Sequence, residues 1–503
     1  MTTSSPDRPT GPDGARARRQ VADARVTCED LVTFLNACFC CTGQREFYSD
    51  GRDQTVSIDF LHEYIRGNYR RLYARTLAAG VNHFNRAKIV VELLASSRGL
   101  PPEARREEGR LIAAALRSLP APRAYRALVA TRRRGLNNRR VRAIVREYLA
   151  GRPDLEFDAV KYRRKLRELV LHHHLSLPGE LPRFLLRGWQ ERRYQSPLLE
   201  AFRRAHFSAE AIYDLPYTVA EGLAARHGID RGVFLRKIAP RLTALERLRL
   251  QKTAAREGAE IAVDLARAGL TRLALYILSL PLADRTARAD ALRAALEGAA
   301  RRCLAAAPLA LGRVAAVLDR SYSTAGSPEK PRRSLAIALG VDALLRAAAS
   351  EYMSFWTPPL DDPLLAVPRG ATGLADPILD ALERRPDLLV IVSDGFDNVP
   401  IGGAGEVCRV YRARLDPERR TTIVHINPVF DAPELGPRRL GPTVPTLGLR
   451  DVEDLPTALA FARFADGAIS LTELEDYLET RMYAFLGRPP AARDDDPRDE
   501  VTP

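Results

Sequence analysis

The sequence predicts an α-helical repeat array followed by a doubly wound α/β domain, and three observations lead there. From Cys28 to about Ala307 one amphipathic helical segment follows another, separated by short Gly- and Pro-containing breaks. From Leu309 onward, short apolar runs that fit buried parallel strands alternate with helices. The charge divides at the same place. Residues 1–300 hold 53 Lys+Arg against 33 Asp+Glu, a net +20, whereas residues 301–503 hold 24 against 30, a net −6.

Residues 1–25 are polar, contain Pro and Gly and show no period, so they read as a disordered leader. Glu29–Cys41 places Leu31, Phe34, Leu35 and Cys38 at helical spacing. Arg86–Ser97, Arg106–Ser118, Asn138–Ala150 and Asp158–His173 behave alike, as do Ser208–Tyr213, Thr218–His227 and Ala254–Ala268. Gly99-Leu100-Pro101, Pro120-Ala121-Pro122, Gly151-Arg152-Pro153 and Pro178-Gly179 are helix stops. A long run of short helices without a strand signal fits an α-solenoid, and its lack of a strict period fits degenerate HEAT-like repeats. Expected strands are Leu311–Leu318, Tyr352–Thr357, Leu388–Val392 and Thr422–Ile426. Expected helices between and after them are Ser334–Ala349, Leu374–Arg384, Val407–Ala413, Leu455–Phe464 and Leu471–Ala484. The domains are therefore read as 26–307 and 308–489, with a disordered acidic tail over 490–503.

Composition narrows the function. No stretch approaches the roughly 18 apolar residues of a membrane span, and the N-terminus lacks the apolar core of a signal peptide, so a cytoplasmic protein is expected. Four of the six cysteines, Cys28, Cys38, Cys40 and Cys41, cluster without a second ligand pair, which favours core packing over a metal cluster. A +20 half implies a polyanion partner such as RNA or DNA; the competing reading is a basic surface that serves only solubility.

The most specific motif is Val317-Leu318-Asp319-Arg320-Ser321-Tyr322-Ser323, an apolar strand running into Asp-x-Ser-x-Ser. Ligands in open α/β sheets bind at the carboxyl ends of strands. Oxygens at alternate positions can converge there on a hard cation such as Mg²⁺. Gly370-Ala371-Thr372-Gly373 opens a helix, and Val390-Ile391-Val392-Ser393-Asp394 again runs a strand into an aspartate. With these three loops in this order, residues 310–490 resemble the von Willebrand factor A family and its metal-ion-dependent adhesion site. The resemblance implies that Asp319, Ser321, Ser323, Thr372 and Asp394 hold a divalent cation, directly or through water. It also implies that one coordination position stays open for an acidic group of a partner. Asp397 reads as a loop residue rather than a general base.

In the helical half, Leu31-Val32-Thr33-Phe34-Leu35 runs into the turn Cys41 to Tyr48, and a basic helix Asn138 to Tyr148 ends in an aromatic ring. Lys161-Tyr162-Arg163, Leu169-Val170-Leu171-His172 and Leu215-Pro216-Tyr217-Thr218 follow. Taken in order and joined to the A-type domain, these segments are similar to the TROVE-module proteins, the Ro ribonucleoprotein family with its bacterial relatives. The resemblance implies a helical ring sealed by the A domain. It implies binding of small structured noncoding RNA of the Y type and of misfolded RNA 3′ ends. It also implies work beside RNA-degrading or RNA-repair proteins, without DNA specificity or a membrane.

The residues allow the same chemistry. Arg132, Arg133, Arg134, Arg139, Arg140, Arg142 and Arg146 form a basic run, continued by Lys161, Arg163, Arg164, Lys165 and Arg167. The planar guanidinium suits phosphate because it donates two bonds at once. Tyr148, Tyr162 and His172 to His174 interleave rings that could stack on unpaired bases. The alternatives are core packing for the tyrosines, a solvated face for the arginines and a helix-end dipole contact for the histidines. A second basic set, Arg183, Arg187, Arg192 and Arg193, accompanies Trp189 and Tyr194. No nucleophile with a base beside it can be named, so a non-enzymatic RNA-binding protein is expected. The rival expectation is a protein-interaction adaptor working through the metal site.

Overall fold

Polar caps start several of the helices and apolar stripes bury them. The structure is a computed structural model that describes residues 12–465 and 470–487. Helix α1 (Pro12–Cys40) buries Leu31, Phe34, Leu35 and Cys38. It is followed by α2 (Gly51–Asn68), α3 (Arg70–Arg75), α4 (His83–Ala95) and α5 (Pro102–Ser118). Next come α6 (Ala121–Arg133), α7 (Arg139–Ala150), α8 (Leu155–Lys161), α9 (Arg163–His173) and α10 (Leu181–Arg187). The rest of the array is α11 (Pro197–Arg204), α12 (Tyr217–Arg226), α13 (Arg231–Ile238), α14 (Ala244–Arg256), α15 (Leu270–Ser279), α16 (Leu282–Ala287) and α17 (Ala289–Ala306).

Asn82, Asn138, Asp154 and Asp230 cap α4, α7, α8 and α13 through their side-chain oxygens, and Thr243 with Glu246 forms a capping box on α14. Helices pack on their second neighbours, α4 on α6 and α5 on α7, as expected of a layered helical array. Cys28, Cys38, Cys40 and Cys41 are buried in this core.

Three elements differ from their sequence reading; one is the expected helix Ser208–Tyr213, which is a single 3-10 turn over Glu210–Asp214. The expected helix Asp158–His173 is two helices, α8 and α9, broken at Tyr162, whose amide donates to the Asp158 carbonyl at 2.7 Å. The apolar period runs through Tyr162 unchanged, but there the backbone leaves helical geometry (φ −121°, ψ 26°); one turn earlier the Asp158 carboxylate is held by Arg152 and by the Tyr125 hydroxyl at 2.9 Å. The expected helix Ala254–Ala268 is instead the end of α14, which stops at Arg256 before Gly258 at φ +62°. Of the leader read over 1–25, residues 1–11 lie outside the described residues, and from Pro12 the chain is the start of α1. The acidic tail 490–503 also lies outside them.

The α/β domain carries β1 (Leu311–Asp319), α18 (Arg333–Ala348), β2 (Ala349–Thr357), α19 (Ala375–Glu383) and β3 (Leu388–Val392). It continues with α20 (Gly403–Val410), β4 (Thr422–Asn427), β5 (Thr446–Gly448), α21 (Leu455–Ala465) and α22 (Leu471–Phe485). The five strands are all parallel, in the order β2-β1-β3-β4-β5. Side chains alternate between two cores. Val314, Ala316 and Leu318 of β1 join the core shared with the helical array, whereas Ala315 and Val317 pack with Leu374 and Ile378 beside α19. Burial on both faces explains the unbroken apolar runs in the sequence.

Both ends of the array are seated on this domain, which closes the chain on itself. At one end the Asn36 side chain of α1 bonds the edge strand β5, accepting from Gly448 N at 3.3 Å and donating to Thr446 O at 3.1 Å. A Cβ on Gly448 would lie 2.5 Å from the Asn36 carbonyl, so this approach requires glycine. At the other end Thr271 of α15 accepts from Val452 N at 2.7 Å and donates to Glu453 at 2.6 Å. Arg285 donates to the carbonyls of Leu364 and Ala366. Among the described residues no helix is long and apolar enough to cross a membrane.

His62 is fully buried among the Tyr73 hydroxyl at 2.8 Å and Asn85 Oδ1 at 3.1 Å, and burial lowers its pKa to about 3. Unfolded, it titrates near 6.5, so between these values the unfolded chain binds a proton that the folded chain refuses. His62 thus stabilises the fold above about pH 6.5, and that contribution falls as pH drops toward its folded value. Buried Asp319 and Asp454, both raised to about 7, act in the opposite sense. The informative quantity is therefore a difference between variants. The stability deficit of His62→Gln relative to the parent should shrink by about 2 kcal/mol from pH 7 to pH 5. Urea unfolding at both pH values measures it; a deficit independent of pH would contradict this reading.

Candidate metal centre and nucleic-acid interface

In the strand order, β1 is flanked by β2 and β3, and the chain leaves it in opposite directions on the two sides. The carboxyl ends of β1 and β3 border the resulting crevice. Asp319 is the last residue of β1, and Asp394 lies two residues beyond β3. The third loop, carrying Thr372, is tied to both. Tyr322 N donates to Gly370 O at 2.9 Å, and Asn398 N and Val399 N each donate to Thr372 O at 3.0 Å. Arg320 fastens the β2 end by donating to the carbonyls of Pro358 and Pro359, both at 2.7 Å.

These ties bring the five expected ligands together. Ser321 donates its amide to Asp319 Oδ1 at 2.7 Å and its hydroxyl to Oδ2 at 3.0 Å. The Ser321 and Ser323 hydroxyls are 3.2 Å apart, and Thr372 Oγ1 donates to Ser321 Oγ at 2.9 Å. Asp394 accepts from Phe396 N at 3.1 Å and is hydrogen-bonded by Ser323. All five are buried. Asp397 caps instead, accepting from Leu374 N at 3.3 Å and Ala404 N at 2.7 Å.

The electrostatics fit a missing positive charge. Burial, and then Asp394 beside it, raise the Asp319 carboxyl to about 7; burial also raises Asp394. Among the described residues neither forms an ion pair. Arg438 is near enough to favour the Asp394 charge but forms no ion pair with it, and two buried carboxylates side by side are costly unless a cation neutralises them. Every donor is oxygen and most are hydroxyl, a hard set suited to Mg²⁺ rather than to a thiolate- or imidazole-seeking metal. Among the described residues no group of three His, Cys, Asp or Glu side chains converges, so a cation here depends on Ser321, Ser323 and Thr372.

One residue at this site was not singled out by the sequence reading. Tyr48, in the turn between α1 and α2, reaches across from the helical array. Its hydroxyl is in hydrogen-bond reach of Ser323, and its ring lies 4.1 Å from that of Phe396. Burial and the Asp394 charge raise its pKa. The only sequence signal is its place in the Cys41–Tyr48 turn; nothing local points it at a strand end in the other domain.

The basic residues divide by what they touch. Arg140 is drawn to Glu108 of α5 at 3.3 Å, and Arg163 donates to the carbonyls of Phe184 and Leu185 with its guanidinium over the Phe184 ring. Arg132 pairs with Glu168 and Arg134 with Glu92, while Lys161 lies 3.9 Å from Glu246. Arg164 is almost fully exposed beside Glu168, Lys165 sits over the Tyr162 ring, and His172 bonds the Leu136 carbonyl. Arg133, Arg139, Arg142, Arg146 and Arg167 are exposed and have no acidic partner among the described residues. Arg139, Arg142 and Arg146 follow a spacing of three and four, which puts them on one face of α7. Arg142 is near enough to His173 to depress its titration, so this face adjoins the end of α9. Tyr148 is buried in the core, while Tyr162 is half-buried.

No family model and no curated protein matches the chain. Among solved structures the chain is similar to the Ro (RSR) protein of Deinococcus radiodurans, a protein of the family its helical motifs resemble. The identity is 15%, the TM-score 0.41, and the match covers 82% of this chain and 94% of that one.

Proposed function

We propose that this chain is a non-enzymatic RNA-binding protein of Ro type. It binds small structured noncoding RNA, Y-like RNA or misfolded 3′ ends, beside RNA-degrading or repair proteins in the cytoplasm. The observation that carries the reading is the exposed face of α7, with Arg139, Arg142 and Arg146 unpaired among the described residues; Arg133 of α6 and Arg167 of α9 are likewise exposed and unpaired. Guanidinium groups without an acidic partner are free to meet phosphate. The +20 charge of the first 300 residues supplies the long-range attraction.

The A-type domain would hold Mg²⁺ through Asp319, Ser321, Ser323, Thr372 and Asp394. When bound, the cation supplies positive charge to the crevice and a position for an external oxygen ligand. Tyr322 stands exposed on the loop after β1, and Val399 and Ile401 on the loop after β3. That apolar rim favours a second reading, compatible with the first, in which the domain is a protein-interaction adaptor.

A salt series tests the RNA reading. With about four to five phosphate contacts, log Kobs for a structured RNA should fall with log salt at a slope of about −4. That is roughly a two-hundredfold loss between about 50 and 200 mM. Affinity that does not respond to salt would overturn it.

A further inference from the structure

Phe207 is 65% exposed, in the turn that ends α11. A large ring left in water at a defined place is informative where a lone exposed leucine is not. It belongs to an ordered aromatic set. Phe207 stands edge-on to Trp189, with centroids 5.9 Å apart at 71°. Trp189 is stacked on His206 at 5.4 Å and 18°. His206 leans on the buried Phe202 at 4.8 Å, and Phe202 on the buried Phe184 at 5.1 Å. The outer rings are thus rooted in the core, and little conformational freedom remains to be lost on binding.

The surroundings are cationic. The Arg226 guanidinium lies 5.9 Å from the Trp189 ring centre. Arg204 leads into the same turn, its carbonyl accepting from Phe207 N at 2.9 Å. Arg204 also lines a groove of about 820 Å³ together with Arg192 and Arg193, where Glu200 and Asp214 are the acidic residues. Arg192, Arg193, Arg204 and Arg226 are exposed, with no acidic partner among the described residues. Exposed rings among unpaired guanidinium groups match a strand that offers bases and phosphates together.

We infer that Phe207, backed by the Trp189–His206 stack, is a platform for an unpaired nucleobase of single-stranded nucleic acid, with Arg204 and Arg226 flanking it toward the strand's phosphates. The inference rests on the RNA-binding reading and places a single-strand contact away from the α7 face.

The chain contains two tryptophans, Trp189 and the buried Trp356 of β2, so intrinsic fluorescence reports directly on the site. Titrating a short oligoadenylate should quench Trp189 emission, and polyphosphate, which has the charge without bases, should not. Phe207→Ala should weaken oligoadenylate binding about tenfold and leave the salt slope unchanged. Phe207→Leu, which keeps apolar bulk without a ring, should weaken it similarly. Arg204→Ala with Arg226→Ala should lower the slope by about one to two. Salt-dependent oligoadenylate binding with unquenched Trp189 and full affinity in both Phe207 variants would overturn the platform and leave the RNA reading standing. Absence of oligoadenylate binding at low salt would overturn the platform, and absence of structured-RNA binding in the same buffer would remove the reading it rests on.

Discussion

Glutamate at Arg139, Arg142 and Arg146 together should cost on the order of 100-fold in affinity for structured RNA at about 100 mM salt, and lower the salt slope by about 2 to 3. Each of the three ends in solvent on one face of α7, and none holds the fold together. Circular dichroism and thermal midpoint should therefore match the parent, so lost binding cannot be assigned to unfolding. Arg140, one residue from this stripe, supplies the contrast. Its guanidinium meets the buried Glu108, which Arg70 also holds at 2.7 Å. Arg140→Gln should lower stability by about 1–3 kcal/mol and leave RNA affinity of the folded protein unaltered. If both changes reduced binding equally, the division between solvent-facing and fold-bound arginines would be wrong. A binding gel at several salt concentrations, with a melt of each variant, gives the answer.

Asp319→Ala should abolish any stabilisation by Mg²⁺. For the parent, Mg²⁺ at about a hundred times its dissociation constant should add about 2.7 kcal/mol, because the cation binds only the folded chain. The variant loses one of two carboxylates and should show no Mg²⁺-dependent rise in midpoint. Asp319→Asn sharpens the test. Burial disfavours the Asp319 charge, so without cation the asparagine variant should equal or exceed the parent in stability, and with cation fall below it. A crossing of that kind is not expected of a merely structural aspartate. RNA affinity at fixed ionic strength should be unmoved in both variants, since α7 is on the other module. Mg²⁺-dependent stabilisation that survives in Asp319→Ala would remove the cation from this crevice.

Much of the α/β domain was legible because its signals are local. Residues 314–318 of β1 and 389–392 of β3 are apolar runs buried on both faces, and each leads into an aspartate. β5 was not legible. It is three residues long, and it is covered by α1, whose Asn36 bonds it from the far end of the sequence, and by α21. Tyr48 was missed as a metal-site neighbour for the same reason. The helical half was readable as helices but not in its breaks: at Tyr162 the backbone leaves helical geometry between α8 and α9 while the apolar period continues unchanged. Among the basic residues, the sequence cannot separate Arg140 from Arg142. They differ in which face of α7 each occupies relative to Glu108, a residue of another helix. Residue type thus marked the surface, and tertiary partners decide which arginines remain free on it.

The most direct measurement is recovery of the protein from its native cells by crosslinking and immunoprecipitation, with sequencing of the RNA that comes with it. The variant with glutamate at Arg139, Arg142 and Arg146 runs beside the parent. The account expects a small set of abundant structured RNAs with the parent, depleted when the lysate salt is raised and absent from the variant. RNA recovered equally with parent and variant, or none above a control protein of equal charge, would contradict it.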